Sequence, residues 1–330
     1  MTATAPLIPV GTGRTVIVGP VRYPELCSSG RQLLIDHGFT LVENDSTVPW
    51  TQAELHALIA DADAAVGGVE VYDAEALSHA NRLQIIARLG VGLDNIDLDA
   101  TRGRDVKVVN VPGGNAAAVA ELAIGFMLSV LRRIPEMDSA TKAGRWDRFV
   151  GRELAGTSIG LIGFGAIAQL LTRRLAGFDV SIKAYDPYAD EAAAARLGVS
   201  LVDTAAAAVA DVDIVSVHAP HIAATHHIVD AELISGMRQG TILINTSRGG
   251  LVDQGALVDA LATGRIAGAG LDVFEIEPTS QDNPLFSHPM VVVAPHAAAD
   301  SREAYERIGL ATAEAIVDVF AGRVPTALVA

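Results

Sequence analysis

The stretch that decides the fold is GLIGFGAIA, residues 160–168, in which an apolar run ends in glycines and a helix-forming run begins. Gly163 permits a tight turn, and Gly165 lets the backbone approach a pyrophosphate closely. The small Ala168 allows the following helix, expected over residues 167–175, to pack on the strand, with the pyrophosphate at its N-terminus. The pattern predicts a dinucleotide-binding βαβ unit.

Asp186 stands where such a unit needs an acidic residue. It follows the next apolar run, residues 180–185, at roughly the 20-residue distance at which an acid binds the ribose hydroxyls of NAD. The same carboxylate can also cap its own turn, and the two roles are compatible. Because no arginine follows to bind a 2′-phosphate, the sequence favours NAD over NADP.

Alternating strand-like and helix-like segments continue on both sides of the motif and predict an α/β fold with two Rossmann-like domains. Upstream, a smaller flavodoxin-like domain is predicted with strands at 15–18, 40–43, 64–66, 84–88 and 107–109 and helices at 24–37, 52–60 and 74–79. Downstream, a doubly wound NAD-binding domain is predicted with six strands at 158–163, 180–185, 212–217, 241–245, 267–273 and 290–294.

Two helices mark the expected domain boundaries. A long apolar helix over residues 115–133 separates the two series of strands, and a last helix over residues 301–321 follows the final strand. We expect this last helix to return to the first domain. The predicted domains are therefore a discontinuous substrate-binding domain of residues 1–110 and 302–330 and an NAD-binding domain of residues 111–301.

Composition narrows the class of protein. The 330 residues carry a net charge of −15 without any concentration of lysine and arginine, so we expect no nucleic-acid partner. Cys27 is the only cysteine, which precludes an intrachain disulfide and favours a reducing cytoplasm. Residues 1–14 lack the features of a signal peptide, and the apolar run 122–131 is too short to span a bilayer.

Three residues in the C-terminal third form a candidate catalytic set: Arg248, Glu277 and His296, each placed after an apolar strand-like run. Arginine presents a planar fork that binds a carboxylate in two places. A carboxylate beside a histidine stabilises the imidazolium, the form that donates a proton to a 2-oxo group during hydride transfer. Each residue alone has an ordinary structural explanation, but together on a dinucleotide fold they predict an oxidoreductase.

A cluster of histidines follows the strand at 212–217. Metal ligation is one interpretation of this cluster, which consists of His218, His221, His226 and His227. Cysteines and clustered carboxylates are missing around these histidines in the sequence. A structural zinc site needs four well-spaced ligands. We therefore predict no metal site.

The motifs together resemble the D-isomer-specific 2-hydroxyacid dehydrogenase family. The resemblance covers nearly the whole chain, is closest to phosphoglycerate dehydrogenases, and is carried by these stretches: 88–100 (RLGVGLDNIDLDA), 108–128, 160–168, 244–253 (INTSRGGLVD), 268–278 (GAGLDVFEIEP) and 294–296 (APH).

The resemblance implies an NAD-dependent homodimer with its active site between the domains, acting on a small 2-hydroxy or 2-oxo acid. The long apolar helix would contribute to the dimer interface. His296 would be the acid/base, Glu277 its orienting partner, and Arg248 the ligand of the substrate carboxylate and carbonyl. The backbone N–H groups of Val91 and Gly92 would also bind the substrate. The residues that would contact NAD are Gly163, Gly165, Ala166, Ile167, Asp186, Ala219, Thr246, Ser247, Arg248, Asp272 and His296.

Three departures from the family pattern bear on the substrate. Ala168 replaces the usual glycine, AAAD at 297–300 replaces a segment with isoleucine and glycine, and AVGGVEVY at 65–72 lacks the arginine that phosphoglycerate dehydrogenases often use to bind phosphate. The last departure weakens 3-phosphoglycerate as the substrate. Related proteins leave two alternatives open: phosphite oxidation with the same three residues, and a non-enzymatic, NAD-sensing corepressor-like scaffold.

Overall fold

The computed structural model describes residues 8–330; residues 1–7, the first half of the stretch interpreted as lacking a signal peptide, lie outside the described residues. The strands are β1 Thr15–Val18, β2 Thr40–Glu43, β3 Ala64–Gly67, β4 Ile85–Arg88, β5 Lys107–Val109, β6 Ser158–Ile162, β7 Ser181–Tyr185, β8 Ser200–Leu201, β9 Ile214–Val217, β10 Thr241–Asn245, β11 Ile266–Leu271 and β12 Val291–Val293. The α-helices are α1 Tyr23–Leu26, α2 Ser28–Asp36, α3 Gln52–Ile59, α4 Ala74–His79, α5 Leu98–Arg102, α6 Ala116–Arg132, α7 Ile134–Lys142, α8 Ala166–Leu175, α9 Glu191–Leu197, α10 Ala205–Val209, α11 Ala231–Ser235, α12 Gln254–Ala262 and α13 Arg302–Phe320.

These elements form two units, each around its own parallel sheet. The first unit comprises residues 8–115 and Asp300–Ala330, and the second comprises Ala116–Ala299. The sheets have five and seven strands, which confirms the predicted α/β class with two Rossmann-like domains. The functions expected of the two domains remain predictions.

The sheet of the first unit has the strand order β2-β1-β3-β4-β5 and is covered on both faces. Val16 and Val18 belong to the same apolar cluster as Leu34 of α2 and Ile316 of α13. Ile17 points to the opposite face, in a cluster with residues of α3 and α4. Burial on both faces explains why the central strands β1 and β3 are almost wholly apolar in sequence.

The helix predicted over residues 24–37 is wrong in one respect, because the chain breaks it at Cys27. That residue has φ −127° and separates α1 from α2. Its buried Sγ lies 3.3 Å from the carbonyl oxygen of Tyr305 in α13. The sequence shows a continuous helical pattern here because the cause of the break is a contact with a distant helix.

Helices α2 and α13 pack closely where each carries a glycine. A Cβ on Gly30 would overlap the carbonyl group of Gly309. We therefore expect Gly30→Ala to lower the free energy of unfolding by about 1–3 kcal/mol, as overpacking usually does. Urea unfolding followed by circular dichroism measures the change.

Gly103→Ala is the matched control for this prediction. A Cβ there would meet its nearest neighbour at an ordinary 3.5 Å, and the backbone is right-handed helical. This variant should unfold like the parent or slightly later. Equal stability of the two variants would show that the Gly30–Gly309 approach is not tight.

The second unit has the strand order β12-β11-β10-β9-β6-β7-β8, all parallel. On one face Leu161 clusters with Phe126 of α6 and Leu171 of α8, and on the other Ile162 clusters with Leu257 of α12. The six predicted strands are present. The edge strand β8 was not predicted, since two residues are too few to show a periodic pattern. Among the helices of residues 8–330, none combines the length and apolarity needed to cross a membrane.

Candidate active site

The glycine-rich turn lies at the carboxyl end of β6. The strand order reverses between β6 and β9, so this is the switch point of the sheet. Gly163 has φ +94°, and a Cβ there would lie 2.6 Å from the carbonyl carbon of His218. Only glycine fits this conformation and this space. Gly165 is the N-cap residue of α8, and within the described chain no side chain caps that helix. Apart from its chain neighbours, no described atom lies within 4 Å of where a Cβ on Gly165 would stand. The turn therefore leaves space beside an uncapped helix N-terminus.

Asp186 organises this turn from the end of β7. Its Oδ2 accepts a hydrogen bond from Phe164 N at 2.8 Å, and its Oδ1 accepts one from Tyr188 N at 2.8 Å. The turn-capping role weighed from the sequence is therefore present. Its role towards a ribose remains a prediction.

His218 and Ala219 follow β9, on the other side of the switch point. The Nε2 of His218 lies 2.8 Å from Ser216 Oγ, and among the described residues its buried Nδ1 has no partner. Burial lowers the pKa of His218 to about 4. This histidine is therefore neutral at physiological pH.

The buried His218 should make the stability of the protein depend on pH. The unfolded chain takes up a proton near the ordinary pKa of 6.5, but the folded state does so only near 4. The free energy of unfolding is therefore highest above pH 6.5 and falls by about 3 kcal/mol towards pH 4 on account of this residue. Comparing urea unfolding of the parent and His218→Gln at pH 7 and pH 4 isolates the effect, and a parent–variant difference that does not change with pH would contradict it.

Arg248 lies in the loop after β10. Hydrogen bonds between nearby residues fix the shape of this loop. Asn245 Nδ2 donates to Arg248 O at 2.9 Å, and Ser247 Oγ donates to Val217 O at 2.8 Å. The guanidinium Nη1 donates to Ser247 O at 2.8 Å. Next to it, a Cβ on Gly249 would overlap the carbonyl group of Phe274, so this loop abuts the backbone after β11.

Thr246 and Asp272 follow the neighbouring strands β10 and β11, whose ends are joined by Asp272 N donating to Asn245 O at 3.0 Å. Asp272 is buried, and its two oxygens accept hydrogen bonds from Ala297 N and Ala298 N at 2.8 and 2.9 Å. Thr246 is buried too, and within residues 8–330 its Oγ1 has no hydrogen-bond partner. Asp272 thus fixes the loop after β12, which carries His296.

His296 and Glu277 are in direct contact. The His296 Nδ1 lies 2.6 Å from Glu277 Oε2, and Glu277 Oε1 accepts a hydrogen bond from Phe274 N at 2.8 Å. His296 has φ +54°, held by its own N–H donating to Asp272 O at 2.7 Å. Its side chain is 47% exposed. The carboxylate therefore binds one ring nitrogen, Nδ1, of a half-exposed imidazole.

The histidine loop contains one contact that the sequence does not show. His221 Nε2 lies 3.1 Å from His226 Nδ1, the His226 ring stacks on His227, and His227 Nε2 lies 2.9 Å from Glu275 Oε1. A carboxylate partner therefore exists, although it is 48 residues away in the sequence. Among the described residues no group of three or more His, Cys, Asp or Glu side chains is arranged to hold a metal ion.

Val91 and Gly92 lie in the first unit, in the loop after β4. Asn110 Nδ2 donates to Val91 O at 2.7 Å, and Val91 is 37% exposed. Sequence reasoning missed one residue that shapes these loops, Glu70 in the first unit, because nothing in the sequence indicates that Glu70 is buried. The GG pair at 249–250 does indicate a turn after Arg248.

Comparison with known proteins agrees with this geometry. Residues 124–298 match the family model described as D-isomer specific 2-hydroxyacid dehydrogenase, NAD binding domain. The chain is 42% identical over 279 residues to the D-3-phosphoglycerate dehydrogenase of Mycobacterium bovis, covering 83% of this chain and 52% of that protein. It thus spans about half the length of such relatives.

Two further relatives are similar over most of their own length. The hydroxypyruvate reductase of Thermotoga maritima is 40% identical over 247 residues, which is 74% of this chain and 79% of that protein. The solved structure of the D-lactate dehydrogenase from Escherichia coli matches with a TM-score of 0.85 and 28% identity, covering 96% of this chain and 100% of that one.

Proposed function

Because this chain belongs to the D-isomer-specific 2-hydroxyacid dehydrogenase family, we propose that it is an NAD-dependent enzyme that interconverts a D-2-hydroxy acid and its 2-oxo acid. The observation that carries the proposal is the 2.6 Å contact between His296 Nδ1 and Glu277 Oε2. In this contact Glu277 fixes the half-exposed imidazole of His296. Both residues follow strands of a dinucleotide-binding unit, and such sheets bind ligands at the carboxyl ends of their strands.

The residues of the second unit fit NAD. Gly165 leaves room beside a helix N-terminus that no described side chain caps, which suits a pyrophosphate. Asp186 lies at the end of the next strand, where the ribose is expected. The buried Thr246 Oγ1, which has no hydrogen-bond partner among residues 8–330, offers a polar group for the nicotinamide end. When bound, NADH supplies the hydride that reduces C2 of the oxo acid.

In the proposed reaction, His296 transfers the proton. During reduction its Nε2 donates a proton to the oxygen on C2, and during oxidation it accepts that proton back. Glu277 holds Nδ1, which fixes the ring orientation and stabilises the imidazolium. Arg248 binds the substrate carboxylate and polarises the carbonyl. The backbone N–H groups of Val91 and Gly92 are proposed as further ligands of the carboxylate.

An NADH-oxidation assay tests this function. Glyoxylate, pyruvate, hydroxypyruvate and bulkier 2-oxo acids form the panel, and the reverse direction is followed with NAD and the D-hydroxy acids. We expect reduction of at least one of the 2-oxo acids. In the reverse direction we expect oxidation of the D-hydroxy acid and not of its L-isomer. Tight NADH binding without turnover would instead favour the corepressor-like scaffold, and NADH formation from phosphite would favour the phosphite oxidoreductase.

We also propose that the protein is a homodimer of the cytoplasm. Apolar exposure in the second unit supports the dimer: Trp146 and Val150, in the segment after α7, are 85% and 96% exposed. The buried single cysteine fits a reducing compartment. Size-exclusion chromatography with light scattering measures the mass in solution, and a monomer at micromolar concentration would contradict the dimer.

A further inference from the structure

Three loops of the second unit meet at the turn directly after Arg248. They follow β9, β10 and β11, and the loop after β9 ends in hydrogen bonds to this turn. His227 N donates to Gly250 O at 2.8 Å, and Val229 N donates to Leu251 O at 3.0 Å. The backbone of the loop after β9 therefore runs alongside the chain that leaves Arg248.

Glu275, in the loop after β11, connects the other two loops through one carboxylate oxygen. Its Oε1 lies 2.9 Å from His227 Nε2 and accepts a hydrogen bond from Gln254 N at 3.1 Å. Gln254 begins α12, the helix that follows the turn after Arg248. The carboxylate thus holds the loop after β9 and the start of α12 against the loop after β11.

His227 is held in an uncommon backbone conformation at this contact. Its φ of +49° lies in the left-handed region, which a non-glycine residue keeps only where its surroundings hold it. The ring of His226 stacks on its imidazole with centroids 3.9 Å apart, and His221 Nε2 lies 3.1 Å from His226 Nδ1. His227 therefore has contacts on its backbone, on its ring face and at Nε2, and these fix where the imidazole meets Glu275.

An ordinary surface ion pair is the simplest explanation for Glu275 and His227. Their side chains are 33% and 34% exposed, and pairs with such exposure contribute little to stability. A surface pair, however, needs neither a left-handed residue nor a carboxylate oxygen shared with the backbone N–H of a third segment. These two features favour a role in the geometry of the loops over a role in stability.

We propose that Glu275 and His227 are positioning residues for Arg248: their contact holds the turn after Arg248 where the guanidinium can bind the substrate carboxylate. The proposal rests on the proposed function, since it concerns the same site. Glu277 has its own anchor, because its Oε1 accepts a hydrogen bond from Phe274 N. Loss of the contact should therefore weaken substrate binding more than it slows proton transfer.

Two single variants remove the contact from either side. His227→Asn keeps a residue that tolerates left-handed backbone but is too short to reach Glu275, and Glu275→Ala removes the carboxylate. In each variant we expect about a tenfold rise in KM for the best 2-oxo acid and in the Kd of oxamate, a pyruvate analogue, for the enzyme–NADH complex. That factor corresponds to a displacement smaller than the 1 Å that costs about 10²-fold. The kcat and the Kd of NADH should stay within about threefold.

The double variant His227→Asn/Glu275→Ala tests whether the two residues act through each other. If His227 acts on the turn through Glu275, the double variant should bind oxamate about as well as Glu275→Ala alone, because coupled residues have non-additive effects. Glu232→Ala is the matched control, since it removes the same side chain from an exposed position of α11 in the same unit. The control should keep the parent KM, kcat and oxamate affinity.

Two results would overturn the proposal while leaving the proposed function standing. One is an unchanged KM and oxamate affinity in either single variant, including a variant that only loses thermal stability. The other is a double variant whose loss of affinity is the product of the two single losses. If one single variant does not fold, the other decides alone. Failure of the parent enzyme to reduce any 2-oxo acid would refute the proposed function itself, and this inference with it.

Discussion

A His296→Ala enzyme should still bind NADH but fail to reduce 2-oxo acids. A positioned general acid contributes about 10²–10⁴-fold to a rate, so kcat should fall by about 10²-fold or more. The glycine-rich turn after β6 depends on Gly163 and Asp186. Among the described residues, neither of these two forms a hydrogen bond with His296. Stopped-flow turnover and NADH fluorescence titration measure the two effects separately.

His288→Ala is the matched control for this prediction. His288 precedes the same strand, β12, and its Nδ1 accepts a hydrogen bond from Met290 N at 3.2 Å. Its loss should lower stability slightly and leave kcat within about twofold, because the hydrogen bonds of His288 go to residues before and at the start of β12, whereas His296 follows the other end of that strand. Full activity of His296→Ala would refute the acid/base role.

Gly249→Ala should have the second-largest effect on activity. The added Cβ would overlap the carbonyl group of Phe274, so the loop that carries Arg248 must move away from the end of β11. A displacement of about 1 Å at a catalytic group costs roughly 10²-fold in rate. We therefore expect kcat/KM to fall by about that factor and the free energy of unfolding to fall by about 1–3 kcal/mol.

Gly177→Ala serves as the control because no atom of the described chain lies within 4 Å of the position its Cβ would take. That variant should keep both activity and stability. If Gly249→Ala retained full kcat/KM with the most active substrate, the position of Arg248 would not depend on this close approach.

The sequence predicts the strands well because the central strands of each sheet are buried on both faces. The predicted strands at 15–18, 40–43 and 107–109 correspond residue for residue to β1, β2 and β5. The contact between His296 and Glu277 was also predictable, since both follow strands that end at one edge of a parallel sheet. In these cases a local pattern or the topology alone determines the outcome.

Features that depend on contacts between distant segments could not be predicted. The break at Cys27 follows from its contact with α13, and the partner of His227 is Glu275, which belongs to the loop after another strand. The sequence also shows that an arginine is missing from residues 65–72, but it does not show that Glu70 turns inwards. That orientation depends on Gly19, which is distant in sequence and leaves space for the carboxylate.

The two hydrogen bonds of Asp186 have a consequence for any redesign of coenzyme preference. In dinucleotide-binding domains an acidic residue here suits the ribose hydroxyls of NAD, whereas a nearby arginine accommodates the 2′-phosphate of NADP. Replacing Asp186 would leave Phe164 N and Tyr188 N without their acceptor, so the turn would loosen along with the loss of negative charge. A redesign therefore needs a new acceptor for these two N–H groups as well as an added positive charge, for which Tyr188, 93% exposed, offers a position.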